Sequence, residues 1–194
     1  HGGIVGLDRR VWKARILAKN GGEVLELKYD SPDGEEGYPG NLQLTVEYSL
    51  TDEHGLRIDY SATTDKATPL CLTNHSYFNL DGDGVDNVLG HVLQINADKT
   101  VGVDERMIAN GSKRSVEAGV NDFRTPAKIG DRINKLFLSH GDNYLIDNPG
   151  NVSQKVAVIF EPGSGRSMEV YSTATNLQFY TSKGIQTKEI GKSG

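Results

Sequence analysis

The residues best suited to chemistry lie between Thr73 and Leu80, in the stretch that reads Thr-Asn-His-Ser-Tyr-Phe-Asn-Leu and closes an extended run from Pro69. Side chains alternate across a strand, so one face of this run would carry Leu70, Leu72, Phe78 and Leu80, with Asn74 and Ser76 between them. The other face would carry Cys71, Thr73, His75, Tyr77 and Asn79. An imidazole beside a phenol, a hydroxyl and an amide can exchange a proton and bind a polar, uncharged ligand. The same pattern fits a histidine held by its neighbours on an ordinary sheet, so both interpretations stay open.

Composition narrows the classes of partner and compartment. A length of 194 residues suits one domain with a substantial core. A formal charge of -5 argues against nucleic acid or an anionic membrane as partner. A single cysteine, Cys71, excludes an internal disulfide framework, and we expect it to pack inside a protein of the reducing cytoplasm. No apolar stretch approaches the length that crosses a bilayer.

Strand-like segments recur about every ten residues, which is typical of an all-β sandwich or barrel. The predicted strands are Val11 to Ala18, Glu23 to Tyr29, Asn41 to Leu50, Leu56 to Ala62, His91 to Ala97, Gln154 to Phe160, Ser167 to Thr173 and Leu177 to Ser182. In the third of these, apolar and polar residues alternate strictly, which predicts one apolar face on a core.

Three segments give no strand pattern. The region from Asp98 to Gly130 is polar and rich in turn residues, and the segment from Ala127 to Leu136 predicts one short helix. The Asp-Gly-Asp-Gly run at 81–84 lacks the other ligands of a calcium loop, so we interpret it as a turn and predict no metal site.

Three further segments accompany the Thr73–Leu80 stretch: His-Gly-Gly at 1–3, an acidic glycine-rich loop at 31–40, and Leu-Gln-Phe-Tyr-Thr at 177–181. Taken in chain order, the four segments resemble the motifs of the aldose 1-epimerase family, the galactose mutarotases. The resemblance implies a large antiparallel β-sandwich of the galactose mutarotase type, with residues 1–194 forming the central portion of one domain. It also implies an isomerase of hexose metabolism that needs no cofactor.

The implied reaction interconverts the α and β anomers of hexoses such as galactose and glucose through the open-chain aldehyde. A base takes the proton of the C1 hydroxyl while an acid protonates the ring oxygen. The resemblance assigns the acid to His75, a role that suits an imidazole with an unperturbed pKa of about 6.5. The expected partner is a small aldohexose, and the oligomeric state stays open.

The resemblance implies substrate contacts for His1, Ser76, Tyr77, Asp142 and Gln178. Ser76 should point to the opposite face of a regular strand from His75. The family pattern around the aspartate is Gly-aromatic-Asp-x-Asn-aromatic, whereas this chain reads His-Gly-Asp-Asn-Tyr at 140–144. Either Asp142 serves from a tightened loop or the binding aspartate is lost. The remaining histidines, His54, His91 and His140, are expected to be solvated or structural.

The family base is a glutamate in a Leu-Glu-Thr-Gln context, and this sequence has no counterpart. Glu189 is the only carboxylate side chain after the Leu-Gln-Phe-Tyr-Thr motif, and its surroundings do not match. The family arginine before His-Gly-Gly is also missing, so we expect a domain truncated at both ends, an incomplete sandwich without the catalytic glutamate. A non-catalytic sugar-binding module or sensor of the same fold is the alternative, and the clustered motifs disfavour a sandwich without a ligand.

Overall fold

A computed structural model of the 194-residue chain describes residues 2–19, 21–82, 87–135, 141–147, 149–151 and 153–182. The chain divides into two compact units, His1–His75 and Ser76–Gly194. All strand pairs in the described residues are antiparallel, and the fold is all-β, as predicted.

The first unit contains one antiparallel sheet in which neighbours in sequence are neighbours in space. Its strands are β1 (Lys13–Lys19), β2 (Gly22–Ser31), β3 (Leu42–Leu50) and β4 (Leu56–Thr64), in that order across the sheet. Short 3-10 turns at Leu7–Arg9 and Glu35–Gly37 precede β1 and β3. The four strands predicted for this part of the chain are confirmed, with ends that differ by one or two residues.

The predicted apolar face of β3 is confirmed by the strand register. Val46 pairs with Leu27 of β2 on one side and with Tyr60 of β4 on the other, and Val46 is buried. The opposite face is charged, since Glu26 of β2 forms ion pairs with Arg15 of β1 and with Lys28. Alternation therefore separates an apolar from an ionic surface on this sheet.

The second unit contains two four-stranded sheets and one short helix. In chain order its elements are β5 (Val92–Ile95), β6 (Lys99–Val103), β7 (Ala109–Ser115), β8 (Ala127–Lys128), α1 (Gly130–Ile133), β9 (Asp142–Leu145), β10 (Lys155–Phe160), β11 (Ser167–Tyr171) and β12 (Asn176–Phe179). One sheet has the order β11-β10-β5-β8 and the other has the order β12-β9-β6-β7. The predicted helix is present but ends at Ile133, and Leu136 lies outside the described residues.

Both sheets of the second unit contribute to one core. Ile95 of β5 and Ala157 of β10 are buried in the same cluster as Tyr144 of β9, and Phe179 of β12 packs against it. The phenol of Tyr144 is fully buried and donates a hydrogen bond to the carbonyl oxygen of Asn121 at 2.8 Å. The two sheets of this unit thus form the sandwich that the sequence pattern predicts.

The predicted strand from Pro69 to Leu80 is wrong, because residues 67–79 belong to no strand. Apolar and polar side chains are exposed alike, with Leu70 at 42% and Tyr77 at 52% of their full exposure. Cys71 is also exposed, contrary to the expectation that it packs. A strand needs a neighbouring backbone to pair with. At the end of this segment, the backbone forms hydrogen bonds with side chains instead of with another strand.

The prediction that residues 98–130 lack strands is also wrong. This region contains β6, β7 and β8, and all residues of β7 are exposed. A strand with no buried face has no alternation of apolar residues to reveal it. Likewise, β9 lies where the sequence suggested a loop around Asp142.

Candidate active site

The motif from Thr73 to Leu80 is anchored at its last residue. The backbone N–H of Leu80 donates to Nε2 of His91 at 3.0 Å, and its carbonyl accepts from Nη1 of Arg166 at 2.8 Å and from Oγ of Ser164 at 3.2 Å. His91 is only 2% exposed, so it is a structural residue as expected. Three side chains from the second unit therefore fix the end of a segment that no strand supports.

His75 and Ser76 lie at the boundary of the two units. His75 is the last residue of the first unit, and Ser76 is the first residue of the second. Both are exposed and lie in irregular backbone. The predicted roles of both residues remain predictions.

Tyr77 contacts the end of the last described strand. Its ring centroid lies 6.1 Å from that of Tyr180, with the ring planes at 66° in an edge-to-face arrangement. Tyr180 follows β12 directly and lies two residues beyond Gln178. The structure thus brings the Thr73–Leu80 motif close to the Leu-Gln-Phe-Tyr-Thr motif within the second unit.

Gln178 belongs to a chain of three amides on one face of the β9–β12 pair. Gln178 pairs with Asn143 across the strands, and Nδ2 of Asn143 donates to Oε1 of Gln178 at 3.0 Å. Nδ2 of Asn176 in turn donates to Oδ1 of Asn143 at 2.6 Å. These hydrogen bonds hold the amide oxygen of Gln178 against Asn143 and so fix the orientation of its side chain.

Asp142 lies on the other face of the same strand pair. It pairs with Phe179 and is 7% exposed, on the side where Tyr144 is buried. Burial raises the pKa of the Asp142 carboxyl, and a hydrogen bond from the Asn121 side chain opposes that rise. The structure therefore does not bring Asp142 and Gln178 onto one surface.

Position 141 is the one at which the family pattern would put its aspartate, and in this chain it is a glycine. Its φ is +73°, and a Cβ at this position would lie 1.9 Å from the carbonyl oxygen of Phe179. In the family pattern the aspartate stands two residues before the asparagine, which is the position of Gly141 relative to Asn143. That position cannot carry an aspartate in this backbone.

The segment from Asn121 to Pro126 supports the core side of these strands. Phe123 is buried, and its ring lies 5.6 Å from that of Phe179 in an edge-to-face contact. The guanidinium of Arg132 lies 5.0 Å from the centre of the Phe123 ring. The Arg124 guanidinium, 2.8 Å from Asp122, lowers the pKa of that carboxyl to about 2.

Several residues named in the sequence analysis cannot be placed. His1, His140 and Glu189 lie outside the described residues. His54 is exposed in the turn between β3 and β4, as expected. In the described part of the chain, no group of three or more His, Cys, Asp or Glu side chains could hold a metal ion. Nor does that part contain a helix long and apolar enough to cross a membrane.

Sequence reasoning missed three residues of this surface, namely Asn143, Asn176 and Tyr180. The last two stand two positions before and after Gln178, so a strict alternation could have found them. Asn143 needed the register between β9 and β12, which no local pattern reveals.

A family model described as aldose 1-epimerase matches residues 1–194. The chain belongs to the aldose 1-epimerase family. Galactose mutarotase from Sus scrofa is 39% identical over 194 residues, which are 100% of this chain and 55% of that protein. Aldose 1-epimerase from Escherichia coli (strain K12) is 40% identical over 190 residues, covering 93% of this chain and 53% of that protein. The chain thus spans about half the length of these family relatives.

Solved structures of aldose 1-epimerase relatives have the same fold. The GalM/aldose epimerase homologue from C. elegans superposes with a TM-score of 0.82 at 27% identity, covering 97% of this chain and 56% of that one. Galactose 1-epimerase from Lactobacillus acidophilus NCFM gives a TM-score of 0.70 at 31% identity, covering 80% of this chain and 46% of that one. Both likenesses confirm the mutarotase type of β-fold.

Proposed function

We propose that this chain supplies the acid and sugar-binding part of an aldose 1-epimerase that interconverts the anomers of galactose, glucose or similar hexoses. The observation that carries the proposal is the amide chain from Asn176 through Asn143 to Gln178, together with the ring contact between Tyr77 and Tyr180, which lies two residues beyond Gln178. Uncharged amides and aromatic rings suit a neutral ligand covered with hydroxyl groups. The names of the family relatives support a sugar as that ligand.

In the proposed mechanism, His75 gives a proton to the ring oxygen as the C1–O5 bond opens. A base removes the C1 hydroxyl proton at the same time, and the aldehyde rotates before the ring closes on its other face. Gln178 and Asn143 hold sugar hydroxyls, and Tyr77 provides an aromatic wall. Ser76 and His1 are further proposed contacts. Asp142 faces the core and makes no direct sugar contact in this mechanism. It affects the sugar only by supporting β9, the strand that carries Asn143.

We propose that the base lies outside these 194 residues. The sequence has no Leu-Glu-Thr-Gln stretch, and Glu189 stands in a different context. We further propose that residues 1–194 belong to one sandwich domain, which the match of a single family model over the whole chain supports. The lone cysteine supports a reducing compartment such as the cytoplasm.

The rival function is a sugar sensor that binds hexoses without converting them. The retained His75, which the resemblance assigns as the acid, favours the enzyme. The two functions make different predictions for a protein in which the flanking segments of pig galactose mutarotase extend this chain at both ends. We call this protein the extended chain.

Polarimetry of fresh α-D-galactose tests the proposal. We expect the 194-residue chain to stay near the buffer rate, because loss of a general base costs about 10²–10⁴-fold. The extended chain should be active, and His75→Asn in it should remove most of the gain, while His54→Asn should not. An extended chain that binds galactose but leaves the rate unchanged would support the sensor. A short chain that is fast and depends on Glu189 would disprove the external base.

A further inference from the structure

Glu36, in the acidic glycine-rich loop, binds the backbone that follows the His-Gly-Gly motif. Its Oε2 accepts the N–H of Ile4 at 2.7 Å, and its Oε1 accepts the N–H of Val5 at 3.2 Å. Both bonds join residues more than thirty positions apart in sequence. They connect the acidic loop to the residues directly after the His-Gly-Gly motif within the first unit.

Arg10 holds the Glu36 carboxylate in this place. Its Nη2 lies 3.3 Å from Oε1 of Glu36 and 3.2 Å from Oε1 of Glu35. Glu35 accepts the hydroxyls of Tyr29 at 2.7 Å and Ser31 at 2.6 Å, both in β2. The ion pairs and hydrogen bonds thus connect residues 4 and 5 to the sheet, and charge-assisted bonds of this kind are stronger than neutral ones.

The backbone on both sides is shaped to fit this contact. Glu36 has φ +50°, a left-handed conformation that residues other than glycine rarely adopt. Gly3 has φ +91°, and a Cβ there would lie 2.2 Å from Oε2 of Glu36. Gly2 has φ +85°, so the two glycines can take a turn that no other residues would take readily. The need for glycine at position 3 therefore comes both from its positive φ and from the Glu36 side chain.

We propose that Glu36 is a positioning residue for the His-Gly-Gly motif. By fixing the N–H groups of Ile4 and Val5, it holds the backbone next to Gly2 and Gly3 and so supports the sugar contact proposed for His1. This inference rests on the proposed function, because the sugar contact of His1 is part of that proposal. It explains why the acidic loop and the His-Gly-Gly motif occur together in one chain.

A carboxylate suits this task better than an amide. Its two equivalent oxygens accept two N–H groups and a guanidinium at once. A glutamine side chain would accept one N–H group and turn its own NH₂ group toward the other donors. Glu36→Gln, which hardly changes the volume, is therefore the informative variant.

Amide hydrogen exchange of the 194-residue chain tests the contact itself. In Glu36→Gln, we expect Ile4 and Val5 to exchange on the order of tenfold faster, because a bond to a charged acceptor is lost. The N–H of Tyr38, which bonds the carbonyl of Glu35 at 3.0 Å, should keep its rate if the loop stays folded. Glu53→Gln, in an exposed turn of the same unit, is the matched control and should change neither. Unchanged rates at Ile4 and Val5, or an equal rise at Tyr38, would overturn the proposal.

Kinetics of the extended chain test the positioning of His1. We expect Glu36→Gln to raise KM for galactose about tenfold with a smaller change in kcat, since it disturbs a binding contact. If Glu36 acts through His1, then Glu36→Gln added to His1→Ala should cost nothing more. Additive losses in this cycle, or an active extended chain that Glu36→Gln leaves unaffected, would disprove the positioning role. If the unsubstituted extended chain has no activity, the proposed function fails, while the exchange experiment still decides whether Glu36 holds the segment.

Discussion

Asp142 and Asn143 are neighbours in β9, and their side chains lie on opposite faces of the sheet. Asn143 hydrogen-bonds Gln178 at 3.0 Å, whereas Asp142 is buried opposite Phe179. In the proposed function, a sugar held by Gln178 would therefore meet an amide of β9 and not its carboxylate. Amides both donate and accept hydrogen bonds, while an ionised carboxylate only accepts them. This difference should affect which hydroxyl arrangements are preferred.

Asn143→Ala in the extended chain should weaken galactose binding and raise KM about tenfold. The substitution removes the donor to Gln178 and the acceptor for Asn176, and one such hydrogen bond contributes about 1 kcal/mol. Isothermal titration with galactose and steady-state polarimetry measure the change. Gln43→Ala, on an exposed position of β3, is the control and should have no effect. Unchanged affinity in Asn143→Ala would show that the amide chain does not serve the sugar.

Asp142→Asn should make the stability of the chain less dependent on pH. The folded-state pKa of this carboxyl is raised, so its contribution to stability is fully present below the unfolded value of about 3.9. That contribution is lost as pH rises through the folded pKa, because the charged form is buried. We therefore expect Asp142→Asn to be at least as stable as the parent chain at pH 7. Urea unfolding from pH 4 to pH 8 measures this, and a less stable variant at pH 7 would contradict the expected cost of burying the charge.

His91→Asn should destabilise the chain by about 1–3 kcal/mol, the cost of leaving a buried polar group unpaired. The shorter side chain cannot reach the N–H of Leu80, which His91 accepts at 3.0 Å. Denaturant unfolding gives the free energy, and amide exchange at Leu80 shows whether the loss is local. His54→Asn, in an exposed turn, provides the comparison and should change the stability by less than about 0.5 kcal/mol. Equal stability of the two variants would rule out an anchoring role for His91.

Gly141→Ala should cost about 2–4 kcal/mol, and Gly150→Ala only about 1–2 kcal/mol. Both glycines have positive φ, +73° and +93°, so both substitutions strain the backbone. Only at Gly141 would the new Cβ meet an atom, the carbonyl oxygen of Phe179 at 1.9 Å, while nothing lies within 4 Å at Gly150. Thermal unfolding of the two variants separates the contact from the strain. Equal losses would mean that β9 and β12 can move apart without cost.

The sequence predicts the parts of this fold that carry their own pattern. Leu44 and Val46 alternate with polar residues, and β3 forms with the apolar face that this spacing requires. The irregular backbone before Leu80 could not be predicted, because its partners are side chains from His91 and Arg166. The sequence contains no alternation of apolar residues that would reveal β7, because none of the residues of this strand is buried.

The candidate site was predictable in its residue types but not in its geometry. Tyr77 and Gln178 follow from motifs, while the partnership of Gln178 with Asn143 depends on the register of β9 against β12. A shift of one residue in that register would exchange the two faces and bring Asp142 to the surface. The packing of Tyr144 and Phe179 in the core selects the observed register. No local sequence pattern contains that information.

The order of the strands also determines when each unit can fold during synthesis. In the first unit each strand pairs with the next one along the chain, so its sheet can form from consecutive hairpins as soon as they are synthesised. In the second unit, β5 pairs with β10, about sixty residues later. Leu93 and Ile95 therefore stay without their β10 partners, Ile159 and Ala157, while the intervening segment emerges from the ribosome. Nascent chains halted before residue 155 should for this reason depend on chaperones, whereas chains halted after β4 should not.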